Sequence, residues 1–211
     1  MAETIGGIIW DWNGTLLNDI ELCVQIINKM LQKRNLQKLT VDEYKEVFSF
    51  PVKDYYQKIG FDFNDEPFEI PAREYIEEYN SNVESCNLHE NSVSVLNYFR
   101  SVGIRQFILS ASKQDALDQC LEQQNISQYF EHISGLDNHY AASKIENGQQ
   151  LISELNLNAS ELILIGDTVH DFEVARELGC QCVLIANGHQ SKHILESTGV
   201  LVIDELNQLL D

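Results

Sequence analysis

Ile8-Ile9-Trp10-Asp11-Trp12-Asn13-Gly14-Thr15-Leu16-Leu17 is the stretch on which the fold turns. An apolar run over 5–10 stops at an aspartate, and a polar, glycine-containing loop follows. A short apolar run bounded by turn residues reads as a buried strand. Downstream, Ile20, Val24, Ile27 and Leu31 recur at helical spacing. Thr40 can cap a second helix running to about residue 48, and a third is predicted over 53–59. Pro71 can open a fourth, with Ala72, Tyr75, Tyr79 and Val83 along one face. The segment 17–87 therefore reads as helical, with no strand.

Beyond residue 104 the pattern changes. Strand-length apolar runs over 104–109, 130–134, 162–165, 182–185 and 200–203 alternate with helical patterns over 113–124, 143–155, 172–178 and 191–197. Alternating βα units imply an α/β fold with a mostly parallel sheet covered by helices on both faces. The strand over 5–10 needs partners and would join that sheet. The expected organisation is a discontinuous core, 1–16 and 88–211, carrying an inserted all-helical cap over 17–87.

Composition narrows the function. The 211 residues hold 14 Lys and Arg against 33 Asp and Glu, a formal charge of −19. Coulomb repulsion argues against nucleic acid and anionic membrane as partners. It also means that an anionic substrate needs a local cation. No apolar stretch approaches the roughly 18 residues of a spanning helix, and residues 1–5 do not read as a signal peptide. Five irregularly spaced cysteines, Cys23, Cys86, Cys120, Cys180 and Cys182, suit a reducing cytoplasm better than a disulfide framework. No CxxC pair suggests zinc. His189 and His193 read as surface histidines. Oligomeric state is left open, a monomer being compatible with the sequence.

In open α/β sheets, ligands bind beyond the carboxyl ends of the strands. Three predicted strands end in reactive residues: Asp11; Ser110, in Leu109-Ser110-Ala111-Ser112; and Gly166-Asp167-Thr168, followed by Asp171. If these strands are neighbours, Asp11, Asp167 and Asp171 converge. Carboxylates about 4 Å apart repel by roughly 4 kcal/mol at an effective dielectric of 20. Such a cluster calls for a cation, and hard oxygen ligands suit Mg²⁺. Each Asp could instead simply cap a helix, Asp171 above all.

At these residues the chain resembles the haloacid dehalogenase (HAD) superfamily, in its capped, phosphoglycolate-phosphatase-like branch. The first family motif, hhhhDxDGTLh with h apolar, is similar to residues 8–17. Ser110 is similar to the second, a Ser or Thr after a strand. Lys144 is similar to the third, a Lys at a helix start. Gly166-Asp167-Thr168-Val169-His170-Asp171 is similar to the fourth, GDxxxD. The resemblance implies a Rossmann-like, doubly wound core with a helical cap, and an Mg²⁺-dependent phosphatase acting on a small phosphorylated metabolite. It implies that Asp11 is the nucleophile, forming an aspartyl-phosphate. Asp11, the carbonyl of Asn13 and Asp167 would bind Mg²⁺, with Asp171 acting through water or orienting that shell. Ser110, Ala111 and the backbone of Trp12 to Gly14 would bind phosphoryl oxygens, and Lys144 would neutralise charge. Residues 48–56 resemble the family's substrate-facing cap loop, making Phe50 and Lys53 candidates for substrate contact, with Arg73 a further one.

One position departs from the pattern. Family phosphatases carry a second Asp two residues after the nucleophile, as general acid and base; here it is Asn13. An amide holds geometry but exchanges no proton at neutral pH, and general acid–base catalysis contributes about 10²–10⁴-fold. The enzyme could favour good leaving groups, or take its proton from His139, His170 or the substrate. It could also be a phosphotransferase or a phosphate binder. Dehalogenases need no Mg²⁺, so retention of Asp167 and Asp171 argues against that reaction. Phosphonate cleavage through a cap lysine would require Lys29 or Lys53, neither of which sits in a motif.

Overall fold

The computed structural model describes residues 5–136, 144–156 and 158–210. The chain enters through β1 (Gly7–Trp10) and leaves the core through the two-residue β2 (Leu17–Asn18). Four helices follow: α1 (Ile20–Lys33), α2 (Val41–Val47), α3 (Val52–Lys58) and α4 (Glu69–Asn80). The chain returns through β3 (Asn87–Leu88), which pairs antiparallel with β2. These short strands correct the strand-free expectation for 17–87. Two residues are too few to produce a period-2 pattern. Pro71 sits third in α4 rather than first, a position whose N–H has no intrahelical acceptor in any case.

The remainder alternates: α5 (Ser92–Ser101), β4 (Arg105–Lys113), α6 (Gln114–Gln123), β5 (His132–Leu136), α7 (Lys144–Leu155), β6 (Leu162–Gly166), α8 (Val169–Leu178), β7 (Gln181–Ile185), α9 (Lys192–Glu196) and β8 (Leu201–Ile203). Helix α5 had no counterpart in the sequence reading. Strand β5 begins two residues later than expected, because 127–129 form a 3₁₀ turn ahead of it. All six core strands are parallel, in the order β5-β4-β1-β6-β7-β8. The fold is thus a Rossmann-like α/β sandwich.

The pleat of β1 explains the two faces. Ile8 and Trp10 pack with Val95, Leu96 and Leu121 from α5 and α6. Ile9, with the opposite direction, packs with Leu151, Val174 and Leu178 from α7 and α8. Gln106, on the neighbouring strand, accepts the Trp10 indole N–H at 3.1 Å and so satisfies a buried donor. The helices over 20–80 form a separate aromatic-rich cluster around Ile27, Met30, Tyr44, Tyr55, Tyr56 and Phe61. The chain crosses from one half of the sheet to the other between β1 and β6, the switch point at which α/β sheets open a crevice.

Candidate active site

Asp11 follows the central strand directly. Trp10 is in register with Ile108 and Ile165, and Asp11 N–H donates to Ile165 C=O at 2.9 Å. Gly166-Asp167 ends the adjacent strand, and Asp171 lies in the first turn of α8. The three carboxylates converge: one oxygen of each lies within 4.8 Å of the others, and all three residues are buried. Thr15 bridges two of them, its Oγ1 lying 3.3 Å from Asp11 Oδ2 and 3.0 Å from Asp167 Oδ1.

Lys144, the first residue of α7, closes the cluster from the sheet face that α7 shares with α8. Its Nζ donates to Asp11 Oδ1 at 2.5 Å and to Asp171 Oδ1 at 2.6 Å. Asp171 also serves as a cap, accepting from the Thr168 N–H and hydroxyl in a capping box. Its capping role and its place in the cluster are therefore both real, because each carboxylate oxygen takes a different set of donors. Gly166 is required beside it, since any Cβ there would collide with the Asp171 side chain.

The electrostatics follow from burial. Burial pushes Asp11 up to about 7, against the pull of Lys144 and helped by Asp171 and Asp167. Burial pushes Asp167 up to about 6, with His189 opposing. Asp171 remains below the ordinary carboxylate range: burial alone would raise it, but Lys144 and the Thr168 donors outweigh that.

A second network adjoins the first, and the sequence reading missed most of it. His189 is buried, not on the surface. Its Nε2 lies 3.1 Å from Asp19 Oδ1, its Nδ1 3.0 Å from Tyr44 Oη, and its N–H donates to Asp167 Oδ2 at 2.6 Å. Burial would lower its pKa, but Asp19 outweighs this and holds it at about 9. His193 is exposed, and α9 begins only after His189, so the two histidines share no helix face. Asp19 precedes α1 yet makes no capping bond from its side chain. Instead it accepts from Gly14 N–H at 3.0 Å and from Tyr79 Oη at 2.6 Å.

Asn13 ties the second network to the end of β4. Its Nδ2 donates to Asp19 Oδ2 at 3.1 Å and to Tyr79 Oη at 2.5 Å, and its Oδ1 accepts from Ser112 Oγ at 2.8 Å. Both ends of the amide are used, with an orientation that a carboxylate could not reproduce.

Other candidates divide. Trp12, Asn13, Ala111, Ser112, Phe50 and Lys144 line one cavity of about 310 Å³ together with Asp11, Asp167 and Asp171. Gly14 stands behind, its φ of 73° packing it against Asp167 and His189. Ser110 is fully buried and is not part of the cavity wall; its Oγ accepts the Ser112 N–H at 3.0 Å. The strand does not end at Ser110, as the sequence suggested, but runs through an irregular register to Lys113. Lys53 lies off the wall, its ammonium 5.7 Å from the Phe63 ring centre. Arg73 is exposed and also off the wall. Lys29 pairs with Glu78. His170, named above as a proton source, lines the cavity and packs on Phe50 at 4.9 Å between ring centres. His139 lies outside the described residues.

The site residues fit a divalent cation. Among the described residues, four buried carboxylates, Asp11, Asp19, Asp167 and Asp171, face two cations, Lys144 and His189. That balance leaves two negative charges uncompensated once all four ionise, and the convergent oxygens are hard donors. A second convergent group, Asp19, Cys23 and His189, already spends its polar atoms on one another and on tyrosines.

The family model for haloacid dehalogenase-like hydrolases matches residues 8–185. Phosphoglycolate phosphatase of Pseudomonas fluorescens is 21 % identical over 96 % of the chain and 78 % of its own length. A haloacid dehalogenase-like family protein from Streptococcus pneumoniae superposes with a TM-score of 0.82 at 17 % identity, covering 100 % of this chain and 98 % of that one. CbbY from Rhodobacter sphaeroides, solved in complex with phosphate, gives 0.71 at 16 % identity, covering 98 % and 96 %. At such identities the structural likenesses speak to fold. The family match covers most of the chain, and the aspartate cluster stands at the sheet switch point: this chain belongs to the haloacid dehalogenase-like hydrolases.

Proposed function

We propose that the protein is a phosphatase that hydrolyses a small phosphomonoester through an aspartyl-phosphate on Asp11, with Mg²⁺ as cofactor. The observation carrying this is the Asp11 carboxylate, held at the end of the central strand by Lys144 and flanked by Asp167 and Asp171 in one cavity. In this reading Asp11, the Asn13 carbonyl and Asp167 hold the ion, and Asp171 positions that shell. Bound Mg²⁺ supplies charge that lets two anions, the carboxylate and the phosphate, approach.

The chain's own residues do the rest. An Asp11 oxygen attacks phosphorus, and the bond to the leaving oxygen breaks with its electron pair. Water then attacks phosphorus and releases the Asp11 carboxylate. Lys144 orients Asp11 and favours its ionised form against the effect of burial. Ala111, Ser112 and the backbone at Trp12 bound the phosphoryl group, with Ser110 supporting Ser112 from behind. Residues 17–87 act as a cap over a core of 1–16 and 88–211 and exclude bulk water during the reaction.

Assay of an activated aryl phosphate with Mg²⁺ tests this. Phosphate release should be abolished by EDTA and by Asp11→Asn, and acid-quenched wild type should carry phosphate on the peptide containing Asp11. Release that survives Asp11→Asn overturns the proposal. Asn13 favours one second reading, a member that forms the phospho-enzyme and transfers it poorly to water. A stoichiometric burst without turnover would identify it.

A further inference from the structure

The cavity that holds Asp11 continues beneath the helical segment as an aromatic chamber. Tyr44, Phe48, Phe50, Tyr55, Tyr75 and Ile76 form much of that part of its wall. Phosphoryl chemistry alone needs no such lining. The aromatic rings interlock: Phe48 packs on Tyr44, Phe50 and Tyr55 with ring centres 5.3–5.4 Å apart, so the wall is preformed rather than loose.

Cations on this wall are few and already engaged. Among the described residues the wall carries no arginine, and its lysines are Lys113 and Lys144. Lys144 is held between Asp11 and Asp171, and Lys113 pairs with Asp115 at 3.1 Å. Protonated His189 is spent on Asp19, and His170, stacked on Phe50, has its Nδ1 3.4 Å from Glu173 Oε2. Lys45, half-buried on α2, lies off the wall. A substrate carrying a carboxylate beside its phosphate would bury a second negative charge among aromatic rings with no free partner, which is costly. Polar capacity of another kind is present: the buried Tyr55 hydroxyl has no hydrogen-bond partner, whereas Tyr44, Tyr75 and Tyr79 are satisfied.

The leaving group points the same way. Asn13 has no proton to give, and both ends of its amide are tied. An alcohol expelled without protonation must be a stable anion. Phenol-type hydroxyls ionise near 10, against about 15.7 for water. The chamber and the missing acid are independent features with one common solution.

We infer that the substrate is an aryl phosphomonoester whose ring is otherwise uncharged, the ring lying against the chamber of Phe48, Phe50 and Tyr55 and leaving as a phenolate. The inference rests on the phosphatase reading. Its balance is complete: an Asp11 oxygen bonds phosphorus as the aryl oxygen–phosphorus bond breaks with its electron pair on oxygen, water then bonds phosphorus as the Asp11–phosphorus bond breaks and returns its electron pair to the carboxylate, and a water proton ends on the phenol. The Tyr55 hydroxyl serves a polar substituent on the ring.

Two non-hydrolysable probes separate the possibilities, benzylphosphonate and phosphonoacetate, titrated calorimetrically into the full chain in Mg²⁺ buffer. Benzylphosphonate should bind at least about tenfold more tightly. Phe50→Ala, at a partly exposed wall position, should narrow that ratio severalfold by removing one aromatic face. Equal or tighter binding of phosphonoacetate, or binding of neither probe, overturns the inference. Parallel turnover of phenyl phosphate and phosphoglycolate distinguishes the two levels. Higher kcat/KM on phosphoglycolate overturns the substrate class and leaves the phosphatase reading standing. Preferential benzylphosphonate binding with no release from any ester rejects the phosphatase reading while supporting the chamber's ligand class.

Discussion

At the scale of single residues, Asn13 is the position where local reasoning needed the tertiary structure. Taken alone, Asn13→Asp restores a family acid and should accelerate turnover. In the folded protein the new carboxylate would replace an amide that donates to Asp19 Oδ2 at 3.1 Å. Two carboxylates at that range repel by several kcal/mol at an effective dielectric near 20. Asn13→Asp by itself should therefore lose stability and gain little rate. Adding Asp19→Asn should recover stability, with a coupling of about 1–3 kcal/mol in a double-mutant cycle read by urea unfolding. Additive effects would show that the contact carries no energy. The same geometry bears on ageing of the Asn13-Gly14 pair. The Gly14 N–H, which must attack the Asn13 side chain, is bound to Asp19 and to Leu17 C=O at 2.9 Å. Peptide mass spectrometry after prolonged incubation should find Asn13 intact in the folded protein and deamidated in the urea-unfolded chain.

At the scale of elements, the first residue of α7 and the β3 crossing carry the energetics. Lys144 is buried between two aspartates. Lys144→Met leaves them without their cation, a loss of about 3–5 kcal/mol for a broken buried pair. Chemical denaturation should show it, and millimolar Mg²⁺ should recover part of it by supplying charge at the same oxygens. His89 follows β3, buried, with its Nε2 without a hydrogen-bond partner. Burial holds it down at about 4. The unfolded chain thus binds a proton near pH 6.5 that the folded chain refuses until about 4. Stability should be full above pH 6.5 and fall by up to about 3 kcal/mol as pH drops to 4. His89→Gln should flatten this part of the stability–pH curve; an unchanged slope would assign the loss to other groups.

At the scale of the molecule, net charge sets the conditions for binding. With −19 overall and an excess of carboxylates in the cavity, a divalent cation should stabilise the folded chain by mass action. Thermal midpoints should rise with Mg²⁺ and saturate. They should rise less at pH 5.5 than at pH 8, because Asp11 and Asp167 retain protons up to about 7 and about 6, and protons compete with metal. A pH-independent shift would indicate that Mg²⁺ acts at the general acidic surface instead.

Much of the α/β order and the three-carboxylate site was legible in the chain, because strand alternation and an apolar run ending in Asp11 are local patterns. Lys144 came from motif order and not from any local signal of its own. What no local pattern held were the contacts made across 66 to 170 residues: Tyr79 on Asn13, Ser112 on Asn13, and His189 on Asp19. His189 read as a surface histidine because a lone polar residue after an apolar strand carries no mark of what folds over it. The sequence by itself determined which groups could react, since side-chain chemistry and period are written in it. Tertiary structure decided which charges meet, how the Asn13 amide is oriented and what surface faces the phosphoryl site. These depend on helix packing over the end of the sheet, where a carboxylate's neighbours, and not its identity, set its charge and its partner.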